Sequence, residues 1–210
     1  METGFVTGEV RFSYVNLVTP RVPTNGGEPK YSATLLIPKS DTVTKAKLDA
    51  AINAAIQKGV SEKWGGQMPA RPHVPVYDGD GVRDNGESFG PECKGHWVLT
   101  ASSKQQPGVV DRNVQRVIDT TKIYSGMYGY AQLNCFAYLN AGKRGVGIGL
   151  QNVQIIRDGE QLAGNRQAPE DVFNAVGGAP QYGAPAQQPY APAQYGSAQP
   201  SYSYSSSDEI

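Results

Sequence analysis

Residues 123–139, IYSGMYGYAQLNCFAYL, decide how this chain is read. From Met127 every second residue is small or apolar: Met127, Gly129, Ala131, Leu133, Cys135, Ala137, Leu139. The alternate set is Tyr124, Gly126, Tyr128, Tyr130, Gln132, Asn134, Phe136 and Tyr138, mostly aromatic and wholly uncharged. Side chains on a β-strand point to opposite faces in turn, so period-2 alternation predicts a strand, here over 122–139. One of its faces suits the interior of a small barrel. The other is an aromatic row that the core does not need.

The rest of the chain yields to the same test. Residues 5–18, FVTGEVRFSYVNLV, alternate Val6, Gly8, Val10 and Phe12 against Thr7, Glu9, Arg11 and Ser13. The parity then shifts near Tyr14, which predicts a half-buried strand bulged at that point. Residues 31–37, 96–102 and 146–156 give three more strands, and 113–119 a further short segment. A helix is expected over 41–63, where Leu48, Ala51, Ile52, Ala55, Ile56 and Val60 recur at helical spacing and Ser40 or Asp41 can cap the start. Residues 65–95 form an irregular connection of a length usually reserved for function or motion. About five strands and one helix predict a mainly β chain closed into a small barrel, because closure removes exposed strand edges.

A sharp change of composition divides the 210 residues. In 177–210, 31 of 34 residues are Gly, Ala, Pro, Gln, Ser or Tyr, and the remaining three are Asp208, Glu209 and Ile210. Such a segment buries too little apolar surface to offset its ordering entropy. The expected organisation is therefore a folded domain over 1–176 and a disordered tail over 177–210 with an acidic tip. Net charge is zero, yet all 19 basic residues lie within 1–176 together with 17 of the 19 acids, so the body is mildly positive. No apolar run is long enough to span a bilayer, and the N-terminus carries no secretory pattern. Two cysteines are too few for a disulfide scaffold and suggest a reducing cytoplasm. No membrane association is expected.

The aromatic row is what a base-stacking platform requires, since aromatic rings stack on any base at about 1–3 kcal/mol each. Tyr124, Tyr128 and Tyr130 are the candidate stackers, with Trp97 on the preceding strand. Lys94, Lys104 and Lys122, with Lys143 and Arg144 in the loop NAGKRGVG, are the candidate phosphate contacts. Gly145, Gly147 and Gly149 alternate along the last strand and would admit another backbone closely. Two other readings of the aromatic face stay open: cover by the helix, or a subunit interface that would make a homodimer or a virion assembly module. Whether Phe136 and Tyr138 stack on bases or pack under the helix is likewise open.

Catalytic and metal readings are weaker. Cys93-x-x-His96 has ligand-like spacing, but its partners would have to be the isolated His73 and Cys135, so no zinc site is expected. Asp78, Asp80 and Asp84 suggest a calcium loop in the wrong register, and Asp-Gly turns explain them more simply. A metal-dependent nuclease on these three carboxylates is the remaining enzymatic alternative. The expectation is a non-catalytic protein without cofactor or metal.

The strand IYSGMYGYAQLNCFAYLN, the hairpin GKRGVGIGLQNVQIIRDGEQLAG and the loop VPVYDGDG resemble a family of phage-encoded OB-fold single-stranded DNA-binding proteins over roughly residues 5–165. The resemblance implies an OB-like barrel and sequence-tolerant binding of single strands in replication, recombination or repair, in the host cytoplasm and without a cofactor. From the residues alone single-stranded RNA stays open beside single-stranded DNA, because contacts to the 2′-hydroxyl are not legible in the sequence. The tail also resembles those of bacterial and phage single-strand binders, which implies that Asp208, Glu209 and Ile210 dock replication or recombination proteins. A standard OB barrel carries its helix between the third and fourth strands. Here the helix follows the second, so either a strand is hidden or the barrel is modified.

Overall fold

The computed structural model describes residues 2–23, 26–83 and 85–162. Its strands are β1 (Gly4–Val6), β2 (Val10–Arg21), β3 (Lys30–Pro38), β4 (Val76–Asp78), β5 (His96–Ser103), β6 (Gly108–Val110), β7 (Tyr128–Asn140) and β8 (Lys143–Arg157). The helix α1 spans Thr42–Glu62, between β3 and β4. The pairings β7–β2, β2–β3, β3–β5, β5–β8 and β8–β7 form a closed ring, antiparallel except for β5–β8. That is a five-stranded OB-like barrel, with β1, β4 and β6 as short additions to its edges.

The barrel is a modified one. Its strands in chain order are β2, β3, β5, β7 and β8, so α1 is inserted between the second and third. The helix starts where Asp41 accepts a hydrogen bond from the Thr44 amide at 2.9 Å. Its apolar stripe, Leu48, Ala51, Ile52, Ala55 and Ile56, joins the core formed by Phe12, Leu35, Leu99, Leu133 and Leu150. At its end the buried Trp64 donates from Nε1 to the Tyr138 carbonyl at 3.0 Å, and Lys63 Nζ donates to the Ala137 carbonyl at 3.0 Å.

Alternation on β7 is as read up to Ala137: Gly129, Ala131, Leu133, Cys135 and Ala137 are buried, while Gln132 and Phe136 are exposed. Leu139, expected inside, is 51% exposed where the strand runs out to the hairpin. The helix packs on the small, apolar face, so the aromatic face is not under it. Several boundaries differ from expectation. The strand expected over 5–18 is broken into β1 and β2 at Thr7-Gly8, where the Gly8 amide donates to Thr44 Oγ1 instead of a ladder. Strand β7 begins at Tyr128, not 122. Residues 120–122 form a 3-10 turn, and Gly126 at φ +117° swings the chain past Glu160 before the ladder starts. The segment 113–119 begins in a turn held by the Asp111 carboxylate and then makes only a single bridge, Arg116 against Val110; the extra strand is β6 before it.

The bulge near Tyr14 is present. The β2–β3 register shifts between Ser13 and Asn16, and Tyr14 sits at φ +46°. The composition boundary at 176/177, the tail and the tip Asp208–Ile210 lie outside the described residues. No helix among the described residues is long and apolar enough to cross a membrane.

Candidate nucleic-acid interface

The outer faces of β3 and β5 carry matched small polar residues. Ser32 pairs with Ser102 and Thr34 with Thr100, and the two threonine hydroxyls lie 2.9 Å apart. Farther along, Leu36 pairs with Val98. Inward residues of the same strands, Ala33, Leu35, Leu99 and Ala101, are fully buried, so this floor is the complement of the core pattern. Polar, uncharged and short, it lets a ligand approach the sheet closely.

Three depressions run over this floor and share their walls. One of about 510 Å³ lies between Tyr14, Tyr77, Phe89 and Val98. The next, about 350 Å³, shares Tyr14, Thr34 and Thr100 with it and adds Arg21 and Lys30. The third shares Lys30 and Ser102 and extends to Lys104, Gln106 and Phe136. Together they form a groove across β2, β3 and β5 toward β7 and β8. Four cations, Arg21, Lys30, Arg83 and Lys104, line it, and no carboxylate does among the described residues. In an OB barrel the second and third strands form the oligonucleotide-binding face, and β3 and β5 occupy those places here.

Of the stackers and phosphate contacts predicted from sequence, only Lys104 is in the lining of this groove. It is ion-paired with Glu28, both side chains being largely exposed. Lys143 and Arg144 begin β8 at the hairpin with β7, the loop that flanks the binding face in OB barrels. Lys94 is exposed after a 3-10 turn over Pro91–Cys93, and Lys122 is exposed at the end of another. Trp97 is half-buried, and its ring is faced by the ammonium groups of Lys39 at 5.2 Å and Lys45 at 4.8 Å. Tyr124 lies before β7, and its hydroxyl bonds Asp158 Oδ1 and the Gly159 carbonyl, each at 3.1 Å. On β7, Tyr128 is covered by Arg157 and Tyr130 is half-buried.

Two of the last strand's three alternating glycines are closed by rings of β7, whereas Gly149, where a Cβ would meet nothing nearer than 3.3 Å, lines the third depression. A Cβ on Gly147 would meet the Phe136 ring at 2.5 Å, and one on Gly145 the Tyr138 hydroxyl at 2.7 Å. These two glycines seat the rings of β7 flat on β8. Phe136 remains 45% exposed at the far end of the groove, and the Tyr138 hydroxyl reaches His73 Nδ1 at 3.3 Å.

Sequence reasoning missed Tyr14, Arg21, Lys30, Tyr77, Arg83 and Phe89. The parity shift at Tyr14 was visible and was a usable signal, because a bulge re-aims a side chain. The Ser/Thr alternation in YSATLLI and LTAS was also visible. The carboxylates of Asp78 and Asp80 are both committed to Lys39, at 2.5 and 2.7 Å. That hydrogen bonding holds both below the ordinary aspartate value and raises Lys39. Burial pushes the thiols of Cys93 and Cys135 up to about 11, leaving them as neutral wall and core atoms.

A family model described as Enterobacter phage Enc34, ssDNA-binding protein, matches residues 3–181. The chain belongs to this family. Among relatives of this Enc34-family protein, the putative protein p50 of Acyrthosiphon pisum secondary endosymbiont phage 1 is 32% identical over 169 residues, 79% of this chain and 89% of that protein. The solved single-stranded DNA-binding protein of bacteriophage Enc34, in complex with ssDNA, is 26% identical with a TM-score of 0.66, over 77% of this chain and 90% of that one. The fold also matches gp2.5, a single-stranded DNA binding protein encoded by bacteriophage T7, at 15% identity and a TM-score of 0.54, over 82% of this chain and 98% of that one. At that identity the last likeness concerns the fold alone.

Proposed function

We propose that this protein is a non-catalytic, sequence-tolerant single-stranded DNA-binding protein of phage replication, recombination or repair, and that the strand lies in the groove over β2, β3 and β5. The observation that carries this is the groove's composition: four lining cations, no described carboxylate in the lining though Glu28 pairs with Lys104 from its edge, aromatic residues at both ends and a hydroxyl floor between them. Cations there neutralise phosphates and release counterions, which supplies sequence-independent affinity. Rings at the ends stack on bases without choosing among them. Duplex DNA presents its bases stacked inside, so it cannot use those rings.

Membership of the Enc34 family and the relative solved with ssDNA support DNA as the ligand. Of the alternatives, the nuclease reading is disfavoured by the engagement of Asp78 and Asp80 with Lys39; Asp84 lies outside the described residues. The tip Asp208-Glu209-Ile210 is the proposed docking element for replication or recombination proteins, on the sequence resemblance of the tail. The experiment is fluorescence anisotropy of a labelled 30-mer, single-stranded and duplex, at two salt concentrations. Tight single-strand binding that weakens with salt, with duplex much poorer, is the expected outcome. Absence of single-strand binding contradicts the reading.

A further inference from the structure

The groove is chemically asymmetric. Its middle is hydroxyls and cations, whereas the depression beside β4 has apolar surfaces on several sides. Its floor is Val98 and Cys93, which with Leu36 form a second buried cluster outside the barrel. Tyr77 and Phe89 pack on that cluster from the 76–95 segment, with ring centroids 6.1 Å apart and planes inclined at 44°. The Arg83 guanidinium lies 5.0 Å from the centre of the Phe89 ring, and Asn85 adds an amide to the rim.

Opposite them stands Tyr14, and its backbone is the unusual feature. A non-glycine residue at positive φ is strained and persists only where the surroundings hold it. Here Asn16 Nδ2 donates to the Tyr14 carbonyl at 2.9 Å and the Val15 amide to Ser125 Oγ at 3.1 Å. The held bulge turns the ring out of the barrel, 63% exposed, into the wall of the depression. A tyrosine kept strained and exposed serves no packing purpose.

From this geometry we infer a dedicated nucleobase pocket: one base of the bound strand leaves the stack and enters the depression against Tyr14, Tyr77 and Phe89, with Arg83 and Asn85 at its polar edge. The volume of about 510 Å³ is within the ~300–1,000 Å³ range of small-ligand sites. The neighbouring cations Arg21 and Lys30 then take the phosphates that follow. The pocket anchors one end of the strand and fixes the register in which the groove is filled. This inference rests on the proposed strand-binding function and adds to it a site for a single base.

The test uses the full chain and the shortest homothymidine strand that retains full affinity, so that the register cannot slide. Single abasic sites are placed at each position in turn and affinities are read by anisotropy. One position is expected to dominate, with a loss of about 5- to 150-fold, the stacking worth of one base. Phe89→Ala should remove that positional dependence. Independently, strands carrying 5-iodouracil at the dominant position should photocross-link to wild-type peptides containing Tyr14, Tyr77 or Phe89. Equal small losses at every position, or cross-links confined to other peptides, overturn the pocket while leaving strand binding intact. Failure of the unmodified strand to bind overturns the underlying function instead.

Discussion

The guanidinium of Arg157 lies 3.5 Å from the centre of the Tyr128 ring while its nitrogens hold Glu9 Oε1 at 2.5 and 3.0 Å. Arg11 approaches the same ring at 5.5 Å. In the free protein the aromatic side chain that looks most available in sequence is therefore already engaged by cations. Stacking a base on its covered face would require displacing an arginine that has its own carboxylate partner. Tyr14, by contrast, has its ring in the wall of an open groove.

Tyr14→Ala is expected to weaken single-strand binding by about 1–3 kcal/mol, the worth of one stacked base. It should leave the melting temperature near that of the parent. Tyr128→Ala should do the reverse, lowering stability while changing affinity less than threefold. Titration of a labelled oligonucleotide alongside thermal melts of both variants separates the two effects.

How far the sequence could be read follows from these two tyrosines. The core face of β7 and the stripe of α1 were legible because burial imposes a period on consecutive residues. Barrel closure is not local: it depends on the pairing of β7 with β2 and of β5 with β8, far apart in the chain. The groove was hidden for the same reason. Tyr77, Arg83 and Phe89 come from an aperiodic connection, and nothing in their spacing shows that they face Tyr14 across β3 and β5. On β7, Phe136 and Tyr138 also cover glycines of the next strand, a packing role that aromatic density alone does not reveal.

Arg21→Ala and Lys30→Ala should each reduce the slope of log affinity against log salt by about 0.7, one single-strand phosphate contact apiece. Lys47→Ala, on the exposed side of α1, should leave the slope unchanged. Affinities at four or five salt concentrations decide this. An unaltered slope in both groove variants would place the phosphates elsewhere.

Trp64 is buried at the end of α1 and ties the helix to β7 through its indole N–H. Trp64→Ala should cost about 3–5 kcal/mol of stability, as expected for loss of a large core aromatic. Urea denaturation monitored by circular dichroism measures it. A loss below 1 kcal/mol would mean that the helix is held mainly by its apolar stripe.

Acid should loosen the Lys39 cluster. Hydrogen bonding from Lys39 holds the Asp78 and Asp80 carboxyls below the ordinary 3.8. A carboxyl depressed on folding stabilises fully above its unfolded value, and that stabilisation is lost as pH falls through the folded one. Asp78→Asn should therefore be less stable than the parent at pH 7, with the gap closing well below 3.8. Urea midpoints across that range provide the check, and a gap independent of pH would show that the mutation acts through packing.

The central claim is that single strands bind over β3 and β5, reaching β7 only at Phe136, and not on the Tyr128–Tyr130 part of its outer face. Its most direct test is the dissociation constant of a single-stranded 30-mer for two folded variants, Tyr14→Ala/Lys30→Ala in the groove and Tyr130→Ala on β7. The account predicts a loss of tenfold or more for the groove variant and less than threefold for the other. Full affinity in the groove variant, with the loss confined to Tyr130→Ala, would contradict it.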